Sequence, residues 1–221
     1  MEEVTLDAAG TPAVLHVDPD DHLGKWIARK GWYELDLLED ARERVTGPGT
    51  ALDVGAHIGN HAVWFALACG LDVVSIEPNP DTLKRLTANV EANPGANIRT
   101  IHAAVGKKPG RGTSVPGPAG NTGMAKVEIG RTGDLPVITL DSLDVQDVRL
   151  IKIDVEGTAA AVLRGARRLI RRDRPVIYAE VDDPAELIAV LPRGYRAFGK
   201  YAFTPTWGFE YAPPRRWWRR S

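Results

Sequence analysis

Residues Ala51-Leu-Asp-Val-Gly-Ala-His-Ile-Gly-Asn-His-Ala-Val-Trp-Phe-Ala66 read as a buried strand, a glycine turn and the start of a helix. Asp53 closes the apolar run, and Gly55 and Gly59 follow it. Glycine lets a backbone turn tightly and approach a ligand closely. From Gly59 the pattern is helical, with Val63, Ala66 and Leu67 at helix spacing. Leu71-Asp-Val-Val-Ser-Ile76 then reads as a second strand that delivers Glu77. An acid about 20 residues past a glycine turn is placed to bond both ribose hydroxyls of a nucleoside.

The spacing selects among nucleoside cofactors. The nicotinamide fingerprint is G-x-G-x-x-G, with a helix N-terminus aimed at a pyrophosphate. Here the order is Asp53-x-Gly55-x-x-x-Gly59, without the first close glycine pair. An acid before the turn repels a pyrophosphate and attracts an ammonium or a sulfonium. S-adenosylmethionine fits that charge pattern, and its ribose fits Glu77. A nicotinamide dehydrogenase is disfavoured on the same grounds.

Outward from this unit the chain alternates strands and helices. A possible strand at Ala13-Val-Leu-His-Val17 precedes the acidic Asp18-Pro-Asp-Asp21, and residues 32–45 read as a helix that Gly47-Pro-Gly49 ends. Asp81 is the expected N-cap of a helix whose Leu83, Leu86 and Val90 share a face, and Asn93-Pro-Gly95 stops it. Ile98–His102 is a third strand leading into Ala103-Ala-Val-Gly106, and Leu150–Asp154 is a fourth. Residues 158–171 read as one helix with Val162, Leu163, Ala166, Leu169 and Ile170 inward. Pro175–Glu180 is a fifth strand, Asp183-Pro184 opens a further helix, and residues 195–212 read as a closing β-hairpin. The expected fold is α/β, a mostly parallel seven-stranded sheet with helices on both faces. Ligands of such sheets sit at the carboxyl ends of the strands. Asp53, Glu77, Ala104, Asp154 and Glu180 all fall there.

Residues 107–136 differ in character, being rich in Gly, Pro and Lys, with weak alternation at Ala125–Ile129. They read as a mobile loop with an edge strand, a place from which to cover a substrate. Three parts follow: an N-terminal segment, 1–46, packing on the cofactor site; a main domain, 47–212; and a basic aromatic tail, 213–221.

The 221 residues suit one α/β domain of ordinary size. A net charge of −1 gives no general reason to expect nucleic acid or an acidic membrane. Cys69 is the single cysteine, so no internal disulfide forms. The acidic N-terminus lacks a signal-peptide core, no run is long enough to span a bilayer, and a cytoplasmic location is expected. The tail Arg215-Arg-Trp-Trp-Arg-Arg220 mixes cations with stacking surfaces but reads first as a frayed, solvated terminus.

Three segments together resemble the FkbM family of S-adenosylmethionine-dependent methyltransferases: Leu52–His61, Thr139-Leu-Asp-Ser-Leu143, and Ile151-Lys-Ile-Asp-Val-Glu-Gly157 followed by Val162-Leu-Arg-Gly-Ala166. Gly31-Trp-Tyr-Glu34 resembles the family's entry motif. The resemblance spans roughly residues 20–180. It implies a class I methyltransferase (Rossmann-like) fold and methyl transfer, usually to a hydroxyl oxygen of a sugar or secondary metabolite. It also implies that Glu34, Asp53, Gly55, His57, Gly59, Asn60 and Glu77 line the cofactor pocket, with Ala104 and Val105 near the adenine and Asp154 near the methyl group. Two departures stand out. His57 occupies a position where the family usually has Asn, so a backbone contact survives and an amide contact does not. The family commonly has an acid soon after Asp-Val-Glu-Gly, and Thr158-Ala-Ala-Ala161 offers none.

Methyl transfer to a hydroxyl needs alignment and a proton acceptor. Asp154, Glu156, Glu180 and His61 are the candidates, Asp154 first because it ends a strand that feeds a glycine turn. Glu156 could instead serve the following helix N-terminus, and His61 could simply be packed. Asp154 and Glu180 could share a hard divalent ion through their oxygens, but neither carries a metal spacing motif, and no metal is expected. The acceptor is expected to be a small molecule or glycan; oligomeric state is not encoded in any motif. Two alternatives stay open: a non-catalytic S-adenosylmethionine-binding protein, prompted by the missing acid near Ala159, and a nucleic-acid methyltransferase, prompted by the tail.

Overall fold

A computed structural model describes residues 1–115, 126–130, 132–201 and 205–212. Strands β1 (Glu2–Ala8) and β2 (Thr11–Val17) form an antiparallel hairpin, followed by helices α1 (His22–Lys30) and α2 (Leu35–Arg44). Then come β3 (Thr50–Val54), α3 (Asn60–Leu67), β4 (Asp72–Glu77), α4 (Pro80–Glu91) and β5 (Ile98–His102). A second group holds β6 (Ala104–Val105), β7 (Gly110–Val115), β8 (Lys126–Gly130) and β9 (Leu135–Ile138). The chain closes with β10 (Val148–Ile153), α5 (Ala159–Arg164), α6 (Arg167–Asp173), β11 (Val176–Glu180), α7 (Pro184–Ile188), β12 (Tyr195–Tyr201) and β13 (Thr206–Tyr211).

The main sheet has seven strands in the order β12-β13-β11-β10-β3-β4-β5. Its five strands from β11 to the edge strand β5 run parallel, and β13 is antiparallel to both neighbours. Parallel strands buried on both faces need apolar residues at nearly every position, which the runs of β3 and β10 supply. One face packs Leu52, Val54, Ile151, Ile153 and Phe209 against α5–α7 residues such as Leu163 and Ile170. The other packs Ala51, Val73, Leu150 and Tyr178 against α2, α3 and the N-terminal hairpin. Helix α3 is sandwiched, with Asn60–Ala66 all buried, and this explains an apolar sequence with no solvated stripe. After β5 the chain returns to the other side of β3, so the crevice between the ends of β3 and β10 is the switch point where such sheets bind ligands.

Several elements differ from the sequence expectations. The expected loop at 107–136 is a four-stranded sheet, β6-β9-β7-β8, for all but the undescribed 116–125 and 131. Its glycines hid it. A Cβ on Gly112 would lie 3.0 Å from Val127 Cγ1 and 3.1 Å from the Glu128 carbonyl, so this strand position requires glycine for closeness rather than for a turn. The edge strand expected near Ala125–Ile129 is β8. The single helix expected at 158–171 is two, because Gly165 ends α5 where a Cβ would meet the Gly106 carbonyl at 2.2 Å. Its five inward residues are all buried. The N-cap of α4 is Asn79, not Asp81; its side chain accepts from the amides of Asp81 and Thr82, with Pro80 at the first turn.

Strand β1 and helix α1 are additional to the elements expected from the sequence. Side-chain amides hold the hairpin in place. Asn93 bonds both the N–H and the C=O of Val14, at 2.9 and 2.7 Å, and Asn89 accepts from His16 N at 2.7 Å. Asn89 Nδ2 also donates to the Ile58 carbonyl at 2.8 Å, linking β2 to the glycine turn. The tail at 213–221 lies outside the described residues. No described helix is long and apolar enough to cross a membrane.

Candidate active site

A cavity of about 670 Å³ opens at the carboxyl ends of the parallel strands. The glycine turn forms one wall. The amides of Gly55 and Ala56 both donate to the Ile76 carbonyl, at 2.9 and 3.1 Å, which pins the turn to β4. Gly55 has φ +79°, and a Cβ there would lie 1.9 Å from the Asp154 carbonyl oxygen. Glycine at this position therefore lets the ends of β3 and β10 approach. His57 follows at φ +49°, a region in which Asn and His are among the tolerated side chains. Its amide donates to Glu77 Oε2 at 2.9 Å, so the change from Asn leaves this backbone contact in place. Burial pushes the His57 imidazole down to about 4 and keeps it neutral at neutral pH.

Glu77 ends β4 in the cavity wall. Its second oxygen accepts from Asn79 N at 2.8 Å, so two amides fix the carboxylate in orientation. Burial raises it to about 7, with Asp53 and Asp154 adding to the rise and the two amides opposing it. Ala104 and Val105 line the same cavity with small apolar surface.

Asp53 pairs in register with Lys152 on β10 and is fully buried. Neither of its oxygens has a hydrogen-bond partner at ordinary distance, and burial raises its pKa. Asp53, Gly59 and Glu34 stand one layer behind the cavity, whereas Gly55, His57, Asn60, Glu77, Ala104, Val105 and Asp154 line it.

Asn60 and His61, at the start of α3, hold the N-terminal segment. The Asn60 side chain accepts from Tyr33 N at 3.1 Å and donates to Tyr33 O at 3.0 Å. His61 Nε2 lies 3.0 Å from Glu34 Oε2. Burial disfavours the Glu34 carboxylate, but its contact with His61 outweighs this and holds its pKa below the usual value. His61 lines the cavity with its ring turned to Glu34.

The remaining wall is ionic. Lys152 Nζ, buried, donates to Asp154 Oδ2 at 2.6 Å. Asp154 is ringed by protein yet keeps 44% of its side chain open to the cavity. Burial opposes its ionisation, and the Lys152 ammonium overrides this and holds the carboxyl well below the ordinary range. Glu180, at the end of β11, shares a hydrogen bond with Asp154. Burial, then the charge of Asp154, raise Glu180 to about 7. Glu156 is half-buried in the same wall. The structure thus brings all four candidate proton acceptors, Asp154, Glu156, Glu180 and His61, to one cavity. Among the described residues no three His, Cys, Asp or Glu side chains are grouped to hold a metal ion.

Sequence reasoning gave no role to Lys152, Tyr33, Asp21 or Thr158, all of which line the cavity. Lys152 did leave a signal, a lone cation inside the apolar strand Leu150–Ile153, since lysine is almost never fully buried unless paired. Where the family's later acid is missing, Thr158 faces the cavity and Ala159 is buried in the core, at 3% exposure.

The residues fit S-adenosylmethionine. An anchored carboxylate at Glu77, a tight glycine turn and the small Ala104–Val105 wall suit a nucleoside, and carboxylates deeper in the cavity suit a sulfonium and an ammonium.

The chain matches the Methyltransferase FkbM domain over residues 53–201. It is 33% identical over 173 residues to the hexuronic acid methyltransferase AglP of Haloferax volcanii, covering 75% of this chain and 71% of that protein. Among solved structures it is similar to the methyltransferase FkbM of Methylobacillus flagellatus KT, with a TM-score of 0.52, 17% identity, and coverage of 88% of this chain and 62% of that one. It is also similar to the tRNA (uracil-54, C5)-methyltransferase of Pyrococcus abyssi in complex with S-adenosyl-L-homocysteine, with a TM-score of 0.53, 13% identity, and coverage of 95% and 43%. The chain spans less than two thirds of each of these solved chains, and the likeness to them is one of fold.

Proposed function

The chain belongs to the FkbM family of methyltransferases, and we propose that it methylates a hydroxyl oxygen of a sugar or related small molecule. S-adenosylmethionine is the methyl donor. The sugar reading is supported by the named acceptor of AglP, a hexuronic acid. The observation that carries the proposal is one cavity with Glu77 at its nucleoside end and the Asp154–Glu180 pair at its reactive end.

When bound, S-adenosylmethionine supplies a methyl carbon already activated by a positive sulfur. Glu77 holds the ribose hydroxyls, and the glycine turn admits the nucleoside at close range. Asp154 keeps its negative charge beside Lys152 and orients the polar end of the donor. Glu77 and Asp154 would hold the donor with that methyl group in line with the acceptor oxygen. The hydroxyl proton passes to Glu180. A base works best with a pKa near the operating pH, which favours Glu180 at about 7 over Asp154, the first choice on sequence grounds. Alignment of acceptor and methyl group supplies several kcal/mol, about 7–11 in favourable cases.

Calorimetry with S-adenosylhomocysteine, followed by mass spectrometry of glycosides incubated with enzyme and S-adenosylmethionine, tests the proposal. Binding and a mass gain of one methyl group are expected. Absence of S-adenosylhomocysteine binding would sink it.

A further inference from the structure

The wall beyond the nucleoside end is acidic. Asp154, Glu156 and Glu180 stand at the carboxyl ends of β10 and β11, and Asp21 and Glu128 face the same cavity from the N-cap of α1 and from β8. Among the described residues, two ammonium side chains reach this space, Lys126 and Lys152, and no guanidinium does. Lys152 and Asp154 neutralise each other, with Nζ buried 2.6 Å from the carboxylate, which leaves Glu156, Glu180, Asp21 and Glu128 as the other acids of this wall. Lys126 is exposed on the edge strand β8, two residues from Glu128. His57 is kept neutral by burial.

The rise of Glu180 to about 7 reflects the same field: burial first, then the negative charges of Asp154 and Glu156.

A carboxylate on the acceptor would have to lose water beside these acids, with no guanidinium fork among the described lining residues to replace it. Like charges brought together on binding discriminate strongly between partners of one shape. We infer that the cavity selects against anionic acceptors, so the methylated hydroxyl belongs to a neutral or amine-bearing sugar rather than to a uronate. This rests on the sugar reading above, and it separates this chain from the relative whose name specifies a hexuronic acid.

The test titrates the full chain, saturated with S-adenosylhomocysteine, with methyl glucoside, methyl glucosaminide and methyl glucuronide at one pH and ionic strength. The first two are expected to bind at least about tenfold more tightly than the glucuronide, a difference of about 1.4 kcal/mol. Glu156→Lys, and separately Glu128→Lys on the exposed strand, are expected to narrow that gap. A glucuronide that binds as tightly as the glucoside, or more tightly, overturns the inference and leaves the sugar reading standing. S-adenosylhomocysteine binding with no glycoside binding overturns both.

Discussion

Lys152 Nζ donates a 2.6 Å hydrogen bond to Asp154 Oδ2, two residues further along the same chain. The bond crosses the boundary between core and cavity, because Lys152 is buried and the Asp154 carboxylate is partly open. Asp53 stands beside Lys152 on the neighbouring strand. One buried ammonium therefore serves two acids. Removing one partner of a buried pair leaves charge uncompensated and typically costs about 3–5 kcal/mol. Lys152→Met is expected to lose stability on that scale in urea denaturation at pH 7.

The same ammonium offsets the negative field at Glu180. Glu180 acts as the base when deprotonated, so turnover is expected to rise with pH through about 7, above the usual glutamate value. Glu180→Gln is expected to lose that limb and to lower kcat by about 10²–10⁴-fold, with S-adenosylhomocysteine affinity unchanged. A variant that keeps both wild-type kcat and the pH limb would show that the proton goes elsewhere.

Glu77 accepts from two backbone amides, so its carboxylate is set before a ligand arrives. Hydrogen bonds to a charged group are worth about 1.5–3 kcal/mol, or about 10–100-fold in affinity. Glu77→Gln is expected to weaken S-adenosylhomocysteine binding by that factor in calorimetry. It leaves a circular dichroism spectrum like that of the parent.

Gly55 meets the backbone of Asp154 so closely that a Cβ would lie 1.9 Å from a carbonyl oxygen, and its φ is +79°. The neighbour is main chain, so it cannot rotate away. Overpacking typically costs about 1–3 kcal/mol, occasionally more. Gly55→Ala is expected to fall at or above that range in denaturation, with donor binding lost. Gly10→Ala is the control: its φ is +93° but no atom lies within 4 Å of its Cβ, so it carries the backbone strain without the clash.

Much of this molecule was legible in one dimension because its signals are local. A parallel strand buried on both faces must be apolar along nearly its whole length, and Ala51–Val54 and Leu150–Ile153 are, apart from Asp53 and Lys152. A helix start announces itself by its cap, as Asp183-Pro184 does. The missed strands lacked such signals, whereas helix α1 carries one in its N-cap Asp21. Strand β1 carries exposed Glu2 and Glu3, and β7 is interrupted by Gly112, which only a neighbouring strand requires. Helices α5 and α6 carry one continuous apolar pattern, and only the approach of Gly106 explains the break at Gly165.

The order Asp53-x-Gly55-x-x-x-Gly59, with Glu77 after it, determined by itself the sheet class, the crevice and a nucleoside donor. Local geometry dictates those features, since a strand, a tight turn and a helix start within a few residues of one another. Tertiary structure decided which acid carries which charge. Asp154 follows Lys152 closely in the chain and is lowered by it, but Glu180 and Glu34 arrive from elsewhere: burial and the charge of Asp154 raise Glu180, and the contact with His61 lowers Glu34. Those are long-range electrostatic terms, fixed only once the strands are side by side.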